Sequence, residues 1–509
     1  MIQNLTPSSP NCSSGGGGLT CTVPIIATAG SHTFTFETYD LTGATGNALS
    51  LNSTTQSLAA NALTTVNVTL AGIPHSIRLS STSMLVTGTQ AGGFTLVGVG
   101  AHAFTVNAFD ADGNMIIGPG APAFAVSQGG LLGVVVTAPT GGSPNALSVT
   151  PPAIYTSGGA TITVTASYSS GTNACAQTGA VCTTGPIAFG MREMLAVLSA
   201  GNSGSPPFGT VAFYSDTAGS MTLLGTSGTL SGGADALAFD KNGNMFVALS
   251  SYANVVDEYT PPYTGSPTVI SAGSSSSFNY PTSLATDSSG DLYIGDSNYT
   301  VLEYAPGTTT PSRTLNPTVA GVTVLPNYLC TDPSGDLFVA NNGSNSYGAI
   351  QEFAATGTTA THLVSNIMGI NSIACDSVGN VFVAQFYPMV VSAVSEYTPG
   401  LVYGTTLTGT TNDPQNVAVD SANNVYVPNF GGSQGNLLTF AAGSNSIHST
   451  LPLYGMEQTA TVADSAGNIF SGERTGGIVY EYAAGSTTST SNIPPVGTYY
   501  GMVGLGLLP

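Results

Sequence analysis

Amide and aromatic side chains stand together at the ends of a recurring apolar run. They are Tyr299, Asn327, Tyr328, Asn341, Asn371, Phe386, Tyr387, Gln415, Asn416, Asn429, Phe430 and Gln458, joined by the adjacent charges Glu473 and Arg474. Rings stack on flat sugar faces, and amides bond hydroxyls or peptide groups, so this set suits a carbohydrate or a protein or peptide ligand. Arg474 is one of only five basic residues, with Arg78, Arg192, Lys241 and Arg313. Beside Glu473, it is expected to form an ion pair within its own loop.

Catalytic chemistry has less to work with. The histidines are His32, His75, His102, His362 and His448, and none falls where a general base would face the loops just named. No Gly-x-Ser-x-Gly elbow or phosphate-cradling Gly-Lys-Ser/Thr loop occurs. Glu258, Glu303, Glu352, Glu396 and Glu481 recur at regular intervals, but on segments expected to lie too far apart to share one ion. Asp110-Ala-Asp-Gly-Asn is a dense acidic loop without the distal bidentate Glu of a calcium-binding helix-loop-helix. A hairpin turn is the first expectation there, and a weak site for calcium or another divalent ion the second. No catalytic residue, metal ligand or cofactor is assigned.

The elements that must position these residues are repeats. A pattern of apolar triplet, Asp, two residues, Gly or Asn, then Asn or Asp and a short apolar run begins at Asp240, Asp287, Asp332, Asp376, Asp420 and Asp464. The spacings are 47, 45, 44, 44 and 44 residues. Asp bonds its own backbone further on, and Gly or Asn takes the positive-φ position, so each core is a hairpin. A third strand follows with a Val-x-Glu-Tyr-like signature, as at Val256–Tyr259 and Val479–Tyr482, and then a Thr/Ser-rich fourth. Four short strands in about 45 residues is the arithmetic of a β-propeller blade. Before the first copy, Met194-Leu-Ala-Val-Leu, Thr210-Val-Ala-Phe-Tyr and Met221-Thr-Leu-Leu supply strands two to four. After the last, Tyr499-Tyr-Gly-Met-Val-Gly-Leu-Gly supplies a strand one. Their pairing would complete a seventh blade and leave no open sheet edge. Loops from strand four to one and from strand two to three would then open on one face, carrying the residues that began this section.

The Ala-x-Asp-x-x-Gly-Asn cores resemble NHL repeats and the related propellers of gluconolactonase-like and streptogramin-lyase-like proteins. The resemblance spans roughly residues 191–509, and Glu on the third strand replaces the usual basic residue. It implies the fold. It also implies a second function, a metal-dependent lactonase or lyase with Glu, Asn and Asp from several blades at the channel mouth.

At 509 residues the chain exceeds one domain, and only 6% of it is charged, against a typical ~25%. A formal net charge of −20 with five basic residues excludes the phosphate neutralisation on which nucleic-acid binding rests. No apolar run is long enough for a membrane helix, so membrane insertion is not expected. Six cysteines are present. Cys12 with Cys21 and Cys175 with Cys182 are expected to staple local loops, whereas Cys330 and Cys375 are expected as buried free thiols. Paired cysteines point to export, to the cell surface or outside the cell, with any leader upstream of the polar Met1-Ile-Gln-Asn-Leu-Thr-Pro.

Residues 1–190 lack the 45-residue period. Gly30-Ser-His-Thr-Phe-Thr-Phe-Glu-Thr-Tyr-Asp recurs 70 residues later as Gly100-Ala-His-Ala-Phe-Thr-Val-Asn-Ala-Phe-Asp, with apolar residues alternating onto one face. Two immunoglobulin-like β-sandwich modules are expected, at 1–74 (short of strands) and 75–186, with a hinge at Thr183–Ile187. The expectation is an all-β chain in which two such modules precede a seven-bladed propeller over 190–509. Its expected role is non-catalytic binding at a cell surface.

Overall fold

The computed structural model describes residues 1–509 apart from 6–7, 16–17, 131–132, 153–158, 169–173, 200–208, 217–219, 274–277, 343–346, 410–411, 431–434, 454–457, 475, 495–501 and 509. The chain is all-β; its only helices among the described residues are the single 3-10 turns Gly118–Gly120 and Ala174–Ala176. It divides into two units, one built from most of Met1–Met191 and the other from Arg192–Pro509 with two short earlier segments.

In the first unit, Cys12–Gly15 and Gly18–Cys21 form a hairpin closed by the Cys12–Cys21 disulfide, and Cys175 is bonded to Cys182, both as expected. Residues 30–72 give one sheet of three strands: Gly30–Leu41, Thr45–Leu58 and Ala71–Gly72. The segment 1–74, expected as a sandwich, therefore carries among the described residues this three-stranded sheet and the separate Cys12–Cys21 hairpin. Beyond it two sheets pack face to face. One has five strands, Ala123–Gly130, Gly159–Ser167, Ile187–Arg192, Gly93–Val97 and Val86–Thr89; the other has four, Val135–Thr137, Ala146–Thr150, His102–Phe109 and Ser76–Ser80.

Alternation explains that packing. Phe104, Val106 and Ala108 point inward from one sheet, and Ala160, Ile162, Val164 and Ala166 from the other. Phe94, Phe104 and Phe189 meet at ring-centroid distances of 5.1, 5.6 and 5.4 Å. Ile187 and Phe189 belong to this core, so the hinge expected at Thr183–Ile187 runs straight into a sheet strand. A Pro-containing, Thr-rich stretch resembles a linker, but the apolar alternation that starts at Ile187 makes it the approach to a strand.

Among the described residues, the second unit holds seven four-stranded antiparallel sheets. Sheet 1 is Met502–Leu508, Met194–Ser199, Thr210–Asp216 and Met221–Thr226. Sheets 2 to 7 follow the chain with first strands Gly233–Phe239, Pro281–Thr286, Tyr328–Thr331, Ile370–Cys375, Ala418–Val419 and Gln458–Ala463. Each then adds its second, third and fourth strands in order.

The repeating Asp makes the first hairpin of each of these six sheets. One oxygen of Asp420 accepts the N–H of Ala422 and Asn424 at 2.9 and 2.8 Å; the other accepts the Asn424 amide at 2.9 Å and the Tyr426 hydroxyl at 2.8 Å. Asp240, Asp287, Asp332, Asp376 and Asp464 accept the same pair of backbone N–H groups, two and four residues on. Asp110 does so too, through Asp112 and Asn114, and thereby holds a hairpin-like turn.

The third-strand glutamates face their own fourth strands. Glu258, Glu303, Glu352, Glu396 and Glu481 stand opposite Thr268, Arg313, His362, Thr405 and Ser491 in the ladder. Glu303 forms an ion pair with Arg313, Glu352 lies 3.2 Å from His362, and Ser491 donates to Glu481. The carboxylates of Glu303, Glu352 and Glu481 thus serve their own sheets as cross-strand partners.

The strand at the chain's end pairs with the strand that opens the unit, running antiparallel from Met194↔Leu508 to Ser199↔Met502. Of the segment expected to supply it, residues 499–501 lie outside the described residues. First strands of successive sheets touch in order from Gly233–Phe239 to Gln458–Ala463, and Met502–Leu508 touches both of those. Apolar clusters fill the spaces between sheets 2–3, 3–4, 4–5, 5–6, 6–7 and 7–1. Between sheets 1 and 2, Phe213 stacks on Tyr263 at 4.7 Å. Glu193, at the start of sheet 1, accepts the Ser465 N–H at 3.0 Å and its hydroxyl at 2.7 Å in the first turn of sheet 7.

Cys330 and Cys375 are not free thiols. They form a disulfide between the first strands of sheets 4 and 5, with Cα atoms 5.7 Å apart. Those strands lie side by side, so residues separated by 45 in sequence become lateral neighbours.

Candidate functional site

In an antiparallel four-stranded sheet, the end of strand two, the start of strand three, the end of strand four and the start of strand one share one edge. That edge has a buried polar layer and an exposed aromatic layer.

The buried layer lies nine residues after each repeating Asp. It reads Leu249, Asp296, Asn341, Gln385, Asn429 and Glu473, all between 0 and 8% exposed. Asp296 and Asn429 bind loop residues, and Asn341 and Gln385 bind the adjacent third strand. Asp296 accepts the Asn279 N–H at 2.8 Å and the Asn298 amide at 3.1 Å. Asn341 donates to the Ala349 carbonyl at 3.3 Å. Gln385 accepts the Ser395 hydroxyl at 2.9 Å, and Asn429 accepts the Asn412 N–H at 3.2 Å and donates to Asn436 at 3.3 Å. Burial pushes the Asp296 carboxyl up, against the pull of its Asn279 and Asn298 hydrogen bonds.

Other expected ligand residues are similarly engaged. Asn327 accepts the Asn342 N–H at 3.1 Å. Asn371 donates to the Pro414 carbonyl at 3.2 Å, and Asn416 to the Ser372 hydroxyl at 3.3 Å, each tying a sheet to its neighbour. Tyr328 opens a first strand and packs into the core between sheets 4 and 5, where burial raises its phenol. The backbones of Phe386, Gln415 and Phe430 bond to Gly369, Pro428 and Asp413. Gln458 begins its strand opposite Glu473 in the ladder. Glu473 is buried and the adjacent Arg474 exposed. Tyr299 and Tyr387 alone among the expected aromatics are exposed, at 45% and 36%.

Three further exposed rings join them on this edge: Tyr252, Tyr280 and Tyr347, at 77, 54 and 53%. The repeat held a signal for some of what was missed. Tyr252 stands twelve residues after Asp240 as Tyr299 does after Asp287, and Asp296 and Gln385 share the ninth position with Asn341, Asn429 and Glu473. Among the described residues, no group of three or more His, Cys, Asp or Glu is arranged to hold a metal ion. What the edge offers chemically is a firm polar underlayer and rings projecting from it.

No known family profile matches the chain, and no curated protein is similar to it. Among solved structures it is similar to U3-55K, with a TM-score of 0.43 at 11% identity, over 53% of this chain and 84% of that one. It is also similar to hydrazine synthase of Kuenenia stuttgartiensis, with a TM-score of 0.37 at 12% identity, over 43% of this chain and 68% of that one.

Proposed function

We propose that the chain is an exported, non-catalytic binding protein. In this reading Arg192–Pro509 is a seven-bladed, NHL-like propeller, and the two packed sheets before it are immunoglobulin-like. The blade reading is supported by the period, by four strands per sheet, and by first-strand contacts that return to Met502–Leu508. Export is supported by three disulfides, which persist in oxidising compartments.

The observation that carries the binding role is the division of labour on the loop edge. Beneath, Asp296 and Asn429 brace loops and Asn341 braces its neighbouring strand, while five tyrosines stand exposed above them. Exposed rings add nothing to a core, and aromatic side chains are enriched where proteins meet partners.

The test is to incubate the full chain with immobilised polysaccharides and cell-surface proteins, comparing it with a Tyr299→Ala, Tyr387→Ala, Arg474→Ala variant. Saturable retention lost in the variant is expected. Turnover of a lactone stimulated by added manganese or calcium would overturn the non-catalytic reading.

A further inference from the structure

In each sheet of the second unit the fourth strand is an edge, and no strand pairs with its outer side among the described residues. An open edge presents a row of N–H and C=O groups that another chain can join. Proteins therefore keep such strands short or break them with Gly, Pro or charge. Six of the seven edges follow that rule. Thr268–Ile270, Arg313–Leu315 and Ser491–Ile493 have three residues each. Met221–Thr226 and Val402–Thr406 contain Gly225 and Gly404, and Ile447–Pro452 ends on proline.

The edge of sheet 4 breaks it. Its fourth strand, Ala360–Met368, runs for nine residues without Gly, Pro, Asp, Glu, Lys or Arg. It is exposed from Ala360 to Leu363 and again at Ser365 and Asn366. Bulges interrupt its ladder with Tyr347–Phe353 near both ends, but His362 to Ser365 pair regularly with Glu352 to Ala349. Val364 packs inward on the core between sheets 4 and 5, whereas Leu363 is 47% exposed.

Charge and symmetry point to what covers this edge. Residues 353–375 hold no Asp, Glu, Lys or Arg, so the stretch has no charge of either sign to attract a charged partner. A chain of net charge −20 repels its own copies, and a neutral edge is where two of them can approach. Two copies of one strand joined antiparallel in a sheet are related by a two-fold axis normal to that sheet. Each side chain then keeps its face, and the pairing centres on a single residue. With Leu363 at the centre, it meets Leu363 of the second copy, His362 meets Val364, and Thr361 meets Ser365. A half-exposed leucine gains an apolar neighbour, and no like charges stand opposite.

We propose that Ala360–Met368 is a self-association edge, through which two copies of this chain join sheet 4 to sheet 4 as one continuous sheet. The pairing uses up the outer edge of sheet 4 in both copies, so association stops at a dimer. A ladder this short buries less than a standard interface. The dimer is therefore weak, with a dissociation constant on the order of micromolar or higher.

The test is cysteine cross-linking of the full chain, alongside sedimentation. The native cysteines are all in disulfides, so Leu363→Cys adds the single free thiol. Opposite Cα atoms in an antiparallel pair stand about 4.5–5.5 Å apart, within a disulfide's reach. Mild oxidation of Leu363→Cys should yield a covalent dimer. Tyr403→Cys, exposed on the outer strand of sheet 5, should yield little. Thr361→Cys chains mixed with Ser365→Cys chains should cross-link to each other faster than either does to itself, which reads the antiparallel register. In sedimentation, the wild type should pass from monomer to dimer as its concentration rises. Leu363→Lys sets like charges opposite and should weaken the dimer about tenfold or more.

A wild type that stays monomeric at its highest soluble concentration would overturn the proposal, as would equal cross-linking through Tyr403→Cys. Species larger than a dimer that Leu363→Lys abolishes would overturn the two-fold pairing. A monomer whose edge instead captures an unrelated extended peptide, blocked by Leu363→Lys, would overturn the second copy as occupant. Should Leu363→Lys melt early, the cysteine arms still decide. None of these outcomes touches the binding role of the loop edge.

Discussion

Cys330 and Cys375 lie on neighbouring first strands and are bonded across the gap between two sheets, a covalent tie between sheets 4 and 5 within the second unit. Among the described residues, sheets otherwise communicate only through packing and hydrogen bonds.

This bond closes a loop of 45 residues, for which chain-entropy reasoning gives about 4 kcal/mol of stabilisation. Replacing both residues by alanine should lower the chain's urea midpoint and leave Cys12–Cys21 and Cys175–Cys182 intact. Adding reductant to that variant should change the second unit's transition no further.

Arg313 bridges two sheets. It pairs with Glu303 on its own sheet and donates to the Ala354 and Gly357 carbonyls of sheet 4 at 3.2 and 2.8 Å. Arg313→Ala strands a largely buried carboxylate and should cost about 3–5 kcal/mol. Arg313→Lys should recover little of it, since one ammonium cannot reproduce the planar fork. Denaturant melts of the two variants check this, and equal stability of wild type and alanine variant would refute it.

Asp420 accepts four hydrogen bonds in its turn. Asp420→Ala should destabilise the chain by about 2–3 kcal/mol. Asp420→Asn should cost less, because its carbonyl oxygen still accepts the two backbone N–H groups. Hydrogen exchange at Ala422 and Asn424 reports directly on the turn and should accelerate most in the alanine variant.

Asp257 is 2% exposed, and burial pushes its carboxyl up from 3.8 to about 6, with a hydrogen bond from Tyr259 opposing the rise. Between pH about 4 and 6 the folded chain then holds a proton that the unfolded chain has released. Stability from this group is therefore greatest below pH 4 and falls as pH rises through 6. Asp257→Asn should gain about 1–2 kcal/mol relative to wild type at pH 7.5, and the advantage should vanish near pH 4. Melting curves of both proteins across that range would show it; parallel curves would not fit.

The pairing of the chain's last strand with Met194–Ser199 was legible because strands could be counted: three before the first repeat and one after the last. The turns at Asp240 through Asp464 were legible because a hairpin is decided within five residues, by a carboxylate and a glycine or asparagine at fixed offsets. The alternation Phe104, Val106, Ala108 likewise marked a strand with one buried face.

Other features needed the folded chain. Cys330 and Cys375 stand two residues and one residue before their respective Asp, so matching repeat positions did not pair them; lateral contact of two strands did. Asn341 and Asn429 read as ligand amides, but the packed sheets turn them inward as braces, while Tyr252 and Tyr280 are left outward. Local hydrogen-bond chemistry acts over a few residues and is written in their order. Which way a side chain faces, and what stands beside it, depends on sheets assembled from segments some 45 residues apart, and that was settled only by tertiary packing.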